Sequence, residues 1–352
     1  MLNSLQACRA FACLFIVLHH TDGIFRQAKY FASRPFGSLF GCELVALNLL
    51  FALSGFIIVH AHRSDVGKPS RLAGYLYRRA HRIYPTYWIV LASMLAVYFL
   101  VPSFGDGSQR DVGVVLRSLF LWPQPSGDPV LVVSWTLCLE MLFYFAFGAF
   151  VIHPALGLLT FGSWAFVVWA KPFAQYPSNF LQNPYFIPIF AGMIACEAFH
   201  RGWIRRSRFV FASALATLAI SQAANAFNSI DDFSIRLILL SIAGGLLLVS
   251  AANLERSGRL AIPSMFAKLG DASYSIYLVH YPALSILCKL AKAIGLESRI
   301  PHSALFAALA ISAVGIGWGF FHVVERPLRR WGSLRKPKLA TITPTEPIRQ
   351  AA

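Results

Sequence analysis

Two residues in the first apolar run have side chains suited to chemistry, Arg9 and His20. Eleven residues at about 100° each turn a helix through about 1100°, within about 20° of whole turns, so both side chains share a face. At 1.5 Å per residue they stand about 16 Å apart along the axis, which puts His20 near mid-membrane if Arg9 lies at the boundary. His19 points roughly 100° away and ranks second. An ionisable group inside a spanning helix is costly and is a candidate functional residue by default. A neutral histidine suits proton transfer near pH 7; the competing reading is a buried histidine that only hydrogen-bonds a neighbouring helix. A second set lies in SWTLCLEMLFYF, where Ser134, Trp135, Glu140 and Tyr144 fall on one run. Glu140 and Tyr144, four apart, are neighbours on a helix, and Trp135 suits an interfacial anchor. Glu140 could orient a histidine, take a proton, or pair structurally with an arginine. In DASYSIYLVHYPAL, Ser273, Tyr277, His280 and Leu284 follow the helical 3–4 spacing, with Pro282 inside the run. Finally, YLYRRAHRIYP at 75–85 packs Arg78, Arg79, His81 and Arg82 into one turn. Such a turn serves either as ordinary charge anchoring at the membrane edge or as a clamp for a phosphorylated donor, because arginine forks match phosphate oxygens.

These residues need helices in lipid to hold them. Of 352 residues, 57% are hydrophobic and 13% charged, with a mean hydropathy of +0.59. A soluble domain carries about a quarter charged residues, so this chain lacks the surface to face water. Repeated apolar runs of about twenty residues match the length that crosses a bilayer, and they do not alternate as barrel strands would. The expected fold is an all-α, polytopic membrane bundle of about ten transmembrane helices, at 5–24, 41–60, 84–102, 134–152, 154–170, 184–200, 208–225, 234–252, 273–293 and 303–322. The first run lacks a basic segment before Arg9 and a cleavage site after it, so it is expected to stay as the first helix. The region 103–133 reads as a long loop with a short surface helix at 111–121, and long loops in compact proteins tend to be functional. The expected domain is 1–332, with 333–352 a disordered cytoplasmic tail rich in Pro, Thr and Lys.

Orientation follows from the basic residues. With the N-terminus inside, nineteen of the 31 Lys and Arg fall on inside loops and ten on outside loops and flanking helix ends, so both termini are expected to be cytoplasmic. The net charge of +16 sits in short clusters between apolar runs, which suits contact with anionic lipid or a phosphorylated substrate. Nucleic acid is not an expected partner, since no basic strip is interleaved with aromatics. The six cysteines are scattered singly; without a CxxC pair, neither a disulfide framework nor a metal site is expected.

The same segments, in the same order, resemble the integral-membrane acyltransferase family 3, and within it the O-acetyltransferases of exopolysaccharide and lipopolysaccharide. The resemblance rests on Arg9, ten residues, then His20; LNLLFALSGFIIVHAHR at 47–63 with Ser54 and Gly55; RRAHRIYP at 78–85; WTLCLEMLFY at 135–144, with Thr136 where serine is usual; LGDASYSIYLVHYP at 269–282; and VERPLRR at 324–330. Each block alone is weak, whereas six collinear blocks across nearly the whole chain are specific. The resemblance implies a donor, acyl-coenzyme A and most often acetyl-CoA, entering from the cytoplasm, with no metal. It implies an acceptor hydroxyl on an exopolysaccharide, lipopolysaccharide or lipid-linked saccharide, in a bacterial inner membrane and in company with a polysaccharide biosynthesis complex. On that footing His20, Arg9 and Glu140 are the expected catalytic residues, and Arg78, Arg79 and Arg82 the donor-binding ones. His19, Ser134, Trp135, Tyr144, Tyr274, Tyr277, His280 and Glu325 are expected to line the channel. Some members of the family carry an appended soluble hydrolase-like domain; none is read here, which leaves the final transfer to the membrane domain or a partner. The competing classes are a transporter of a lipid-linked sugar or acyl donor, which would favour inverted repeats not seen in this sequence, and an inert export subunit, which has no need of Arg9 and His20 on one face.

Overall fold

A chain with so much apolar surface has to satisfy its backbone polar groups internally, because the bilayer core offers no water to do so. The computed structural model, which describes residues 2–226 and 233–334, meets that demand with helices; no strand occurs among the described residues. In order they are α1 (Asn3–Phe25), α2 (Glu43–His62), α3 (Leu72–Leu100), α4 (Val112–Leu119), α5 (Trp135–Ile152), α6 (Pro154–Ala170), α7 (Phe186–Arg201), α8 (Ser207–Ala226), α9 (Phe233–Arg256), α10 (Ser264–Ala293), α11 (His302–Phe320) and α12 (Arg326–Leu334). The short surface helix expected in the long loop is α4, capped by the Asp111 side chain, which accepts from the Val114 N–H. The tail expected from 333 lies, beyond Leu334, outside the described residues.

Among the described residues, six segments are long and apolar enough to cross a membrane: Asn3–Phe25, Glu43–Asp65, Pro69–Leu100, Val132–Ile152, Phe233–Arg256 and His302–Arg330. Two helices begin well before the apolar runs that announced them. α3 starts at Leu72 instead of 84 and α10 at Ser264 instead of 273. Hydropathy marks only the part of a helix immersed in lipid, whereas the backbone ladder continues through the polar turns that precede it. Pro85 and Pro282 both sit inside continuous helices. At the far end, α11 passes into α12 through a π-helical turn, Phe321–Glu325, with Glu325 fully buried; such wide turns are frequent at functional sites.

Large apolar side chains face outward over much of the surface: Trp169 is 80% exposed, Ile311 72% and Phe209 71%. In a water-soluble protein that distribution would be a defect; in a bilayer it is the lipid-facing coat. Inside, α1 packs against α2, α9, α10 and α11, α2 against α7 and α9, and α3 against α5. Small residues let these helices meet backbone to backbone, as packing in lipid favours. A Cβ on Gly55 of α2 would lie 2.1 Å from the Ile189 carbonyl oxygen of α7, and one on Gly192 of α7 would lie 1.8 Å from that of Ala52 in α2. The ends rich in arginine gather on one side of the bundle. There the Glu255 carboxylate at the end of α9 accepts from the Asn3 and Ser4 N–H groups of α1, both at 2.8 Å, and Arg63 after α2 meets Glu197 of α7 at 2.5 Å.

A side chain cannot be added at the α2–α7 crossing without moving backbone. Gly192→Leu is therefore expected to cost at least about 1–3 kcal/mol, the usual range for overpacking. Thermal unfolding in detergent would register this as a lowered melting temperature. Gly162→Leu, on α6 with nothing within 4 Å of its added Cβ, is the control expected to melt like the parent.

Candidate active site

Charged side chains at the arginine-rich end converge on a cavity of about 100 Å³ between α1, α2, α3, α5 and α10. Its polar lining comprises Arg9 and Cys13 from α1, Ser54 from α2, Arg79 and Arg82 from α3, Thr136, Glu140 and Tyr144 from α5, and Ser273, Tyr274 and Tyr277 from α10; Leu47, Leu50, Phe51, Leu53, Ile57, Ile58, Ile83 and Leu137 supply the apolar wall. Helical spacing explains the clustering. Arg79 and Arg82, three apart, share one face of α3, as Glu140 and Tyr144 share one face of α5.

Each charged group is held by partners that fix its direction. Arg79, buried, donates its Nε–H to Nε2 of His62 at 3.0 Å, and a terminal guanidinium nitrogen also closes on that atom. Because Nε2 accepts, the imidazole proton sits on Nδ1, which donates to Asp65 at 2.8 Å. The Asp65 carboxylate is anchored in turn by Arg71 at 2.8 Å and Arg78 at 3.0 Å. The Arg79 guanidinium also lies over the Tyr144 ring, 5.6 Å from its centroid. Arg9, half-buried, donates to the Gln6 Oε1 at 3.1 Å, and Gln6 Nε2 donates to Asp271 at 2.7 Å. Its charge interacts with those of Arg82, Arg329, Glu140 and Glu325. Glu140 accepts hydrogen bonds from the Tyr144 hydroxyl and, at 3.4 Å, from Ser54. Tyr274 donates to the Ile83 carbonyl at 2.8 Å, which ties α10 to α3. The hydroxyls of Tyr277 and Thr136 stand 2.7 Å apart, each 3.0 Å from the Val133 carbonyl.

His20 does not line this cavity. Its ring packs against His280 and Tyr281 of α10, with centroids 5.2 Å away in both cases, and against His19 at 5.3 Å. His280 leads back to the cavity, since its ring lies 5.7 Å from that of Tyr277. Its Nδ1 donates to the Tyr277 carbonyl at 2.6 Å, which leaves Nε2 as the ring's free acceptor. Tyr281 leads the other way. It lines a second, smaller cavity of about 40 Å³ on the far side, together with Met94, Tyr98, Phe104, Val130–Val133, Pro282, Ser285 and Ile286. His20 thus lines neither cavity; its ring contacts lead through His280 and Tyr277 to the charged one and through Tyr281 to the largely uncharged one, in the partition between them.

Seven of the fourteen residues expected at the site line the charged cavity: Arg9, Arg79, Arg82, Glu140, Tyr144, Tyr274 and Tyr277. His20 and His280 form the partition beyond it. The other five lie elsewhere. Arg78 is an exposed partner of Asp65. His19 turns away, its Nε2 3.4 Å from Glu43. Ser134 is buried in the turn before α5, and Trp135 packs on Tyr185, centroids 5.6 Å apart. Glu325 is buried against Ser275 and Arg329. Sequence reasoning missed His62, Asp65 and Gln6, whose roles arise largely from contacts between elements; the i,i+3 spacings of His62 with Asp65 and of Gln6 with Arg9 were the local signals.

The cavity combines guanidinium and hydroxyl groups with a single carboxylate and an apolar flank, a setting for an anionic molecule that also carries an apolar portion. A family model described as "Acyltransferase domain" matches residues 2–322. The chain is 31% identical over 320 residues to the exopolysaccharide production protein ExoZ of Rhizobium meliloti (strain 1021), covering 87% of this chain and 96% of that protein. It is 33% identical over 97 residues to protein 2 in the picA locus of Rhizobium radiobacter, covering 27% and 44% of the two chains. No solved structure matches.

The relay Asp65–His62–Arg79 carries a prediction of its own. His62→Ala strips a buried guanidinium of its acceptor, and leaving a buried donor unsatisfied typically costs about 1–3 kcal/mol, more when the donor is charged. A clear drop in melting temperature in detergent is expected for His62→Ala and for Asp65→Ala. Arg110→Ala, a change to an exposed side chain in the loop before α4, should melt within about 0.5 kcal/mol of the parent.

Proposed function

The chain belongs to the acyltransferase family whose model it matches, and from that premise we propose that it transfers an acyl group from cytoplasmic acyl-CoA to a sugar hydroxyl of an exopolysaccharide or of a lipid-linked precursor. The observation that carries this reading is the position of His20, between a charged cavity at the arginine-rich end and an uncharged one at the other. The exopolysaccharide acceptor is taken from the relative named ExoZ, and acetyl is the acyl group that the family resemblance favours. The bundle spans the bacterial inner membrane ten times with both termini in the cytoplasm, supported by the excess of basic residues at one end.

The donor enters at that end. Arg79 and Arg82 hold its phosphates, since planar guanidinium forks suit phosphate oxygens, and Arg9 stabilises the negative charge that develops on the thioester carbonyl oxygen. Glu140, fixed by Tyr144 and Ser54, keeps the arginines oriented, while Tyr277 and His280 form the passage to His20. The acceptor approaches through the second cavity. His20 takes the proton from its hydroxyl as the oxygen attacks the acyl carbon; the carbon–sulfur bond breaks, the ester forms, and the coenzyme A thiolate leaves and collects a proton.

A general base contributes about 10²–10⁴-fold to a rate. His20→Ala, which removes the base, and Arg9→Ala, which removes the oxyanion's partner, should therefore each lower acyl content of the surface glycan by about 100-fold or more at matched protein abundance. Unchanged acylation in both variants would overturn the assignment, whereas a transporter would lose glycan export and leave the residual material acylated. Single-turnover labelling with radioactive acetyl-CoA separates two roles for His20. Label retained on the denatured protein and lost in His20→Ala would make the histidine an acyl carrier in place of a base.

A further inference from the structure

Outside the cavity, three ligating side chains come together where α2 crosses α7. His60 lies near the end of α2, while Cys196 and His200 sit four apart on α7 and so share a face. The nearest donor atom of each, among His60, Cys196 and His200, lies within 4.8 Å of the other two. His60 Nδ1 and His200 Nε2 are 3.2 Å apart, with their rings stacked at 5.2 Å. Two ligands on one tetrahedral ion, each bonded at about 2.0–2.1 Å, stand about 3.3 Å apart, and a thiolate at about 2.3 Å completes such a set. A hydrogen bond between two imidazoles would account for the 3.2 Å alone; it gives no reason for a buried thiol beside them.

We propose that His60, Cys196 and His200 form a three-ligand site for a zinc-type divalent ion, which clamps α2 to α7 at the arginine-rich end. Two imidazoles and one thiolate suit zinc, and a fourth position remains for water. His200 is exposed, so an ion has a path from solvent, while Cys196 is fully buried against the helix crossing. Nearby positive charge opposes a cation, and the chain offsets part of it. Glu197 takes both Arg63 and Arg201 at 2.5 Å, and Arg256 rests on the Phe199 ring at 4.5 Å. Binding displaces the Cys196 proton, which adds a further negative charge where the ion sits. The site is separate from acyl transfer: none of its ligands lines either cavity, though Ile57 and Ile58, three and two residues before His60, form part of the donor cavity wall.

The test uses full-length protein in detergent, freed of any affinity tag, with cobalt(II) as the probe and zinc as competitor. The expected result is one tetrahedral cobalt per chain with a thiolate charge-transfer band, displaced by zinc, and a zinc-dependent rise in melting temperature. His200→Ala changes an exposed side chain and should fold normally; it should weaken cobalt binding by at least about 10–100-fold, the loss seen even for outer partners of metal ligands. Cys196→Ser should remove the charge-transfer band. The absence of a tetrahedral spectrum in the parent protein would overturn the proposal, as would binding that survives in both variants. Neither readout depends on acyltransferase activity.

Discussion

Keeping guanidinium groups charged in a low-dielectric interior is the constraint on which the rest of this structure depends. A charge moved out of water costs several kcal/mol unless fixed partners replace its hydration. Arg79 obtains that compensation from a relay running through His62 to Asp65 and outward to the exposed Arg71 and Arg78. Arg9 obtains it through Gln6 and the exposed Asp271. Both routes end on charged groups at the water boundary, so the cavity's positive charge is tethered to solvent at its rim. The helices are shaped to make this possible. α3 and α10 run well past their apolar runs to carry the polar turns, and the π-helical turn after α11 holds Glu325 inside against Ser275 and Arg329.

The opposite physics governs how the helices are joined. Between helices in lipid there is little hydrophobic gain, so close backbone contact and small residues do the work. Gly55 and Gly192 bring α2 and α7 together at a distance no side chain could tolerate. One consequence is local rigidity in the helix that supplies Ser54, Ile57 and Ile58 to the cavity. Another is that the same crossing, continued toward the arginine-rich end, places His60 beside Cys196 and His200. Packing made for stability thus creates chemistry at its edge.

The expected alignment of Arg9 with His20 holds along α1, but the surroundings of the two residues differ. Arg9 opens onto the charged cavity; His20 is enclosed by His280, Tyr281 and His19. Periodicity reports which face of a helix a residue occupies and nothing about what faces it. The same limit applies to Ser134 and Trp135, which share a run with Glu140 but point to other neighbours, and to Arg78, which differs from Arg79 by one residue and about 100°.

Composition and pattern sufficed for the all-helical membrane fold, because apolar length and the scarcity of charge decide how backbone groups must be satisfied in lipid. They sufficed also for the family, and for Arg79, Arg82, Glu140 and Tyr144 as cavity residues, since i,i+3 and i,i+4 neighbours are determined within one helix. What only tertiary structure decided are the meetings between helices: His62 and Asp65 behind Arg79, Gln6 between Arg9 and Asp271, the partition around His20, and the three ligands where α2 crosses α7. The spacing of cysteines along the chain does not report groups brought together between helices. A site whose ligands stand 136 and 140 residues apart in sequence, His60 to Cys196 and to His200, exists only once packing has brought the helices together.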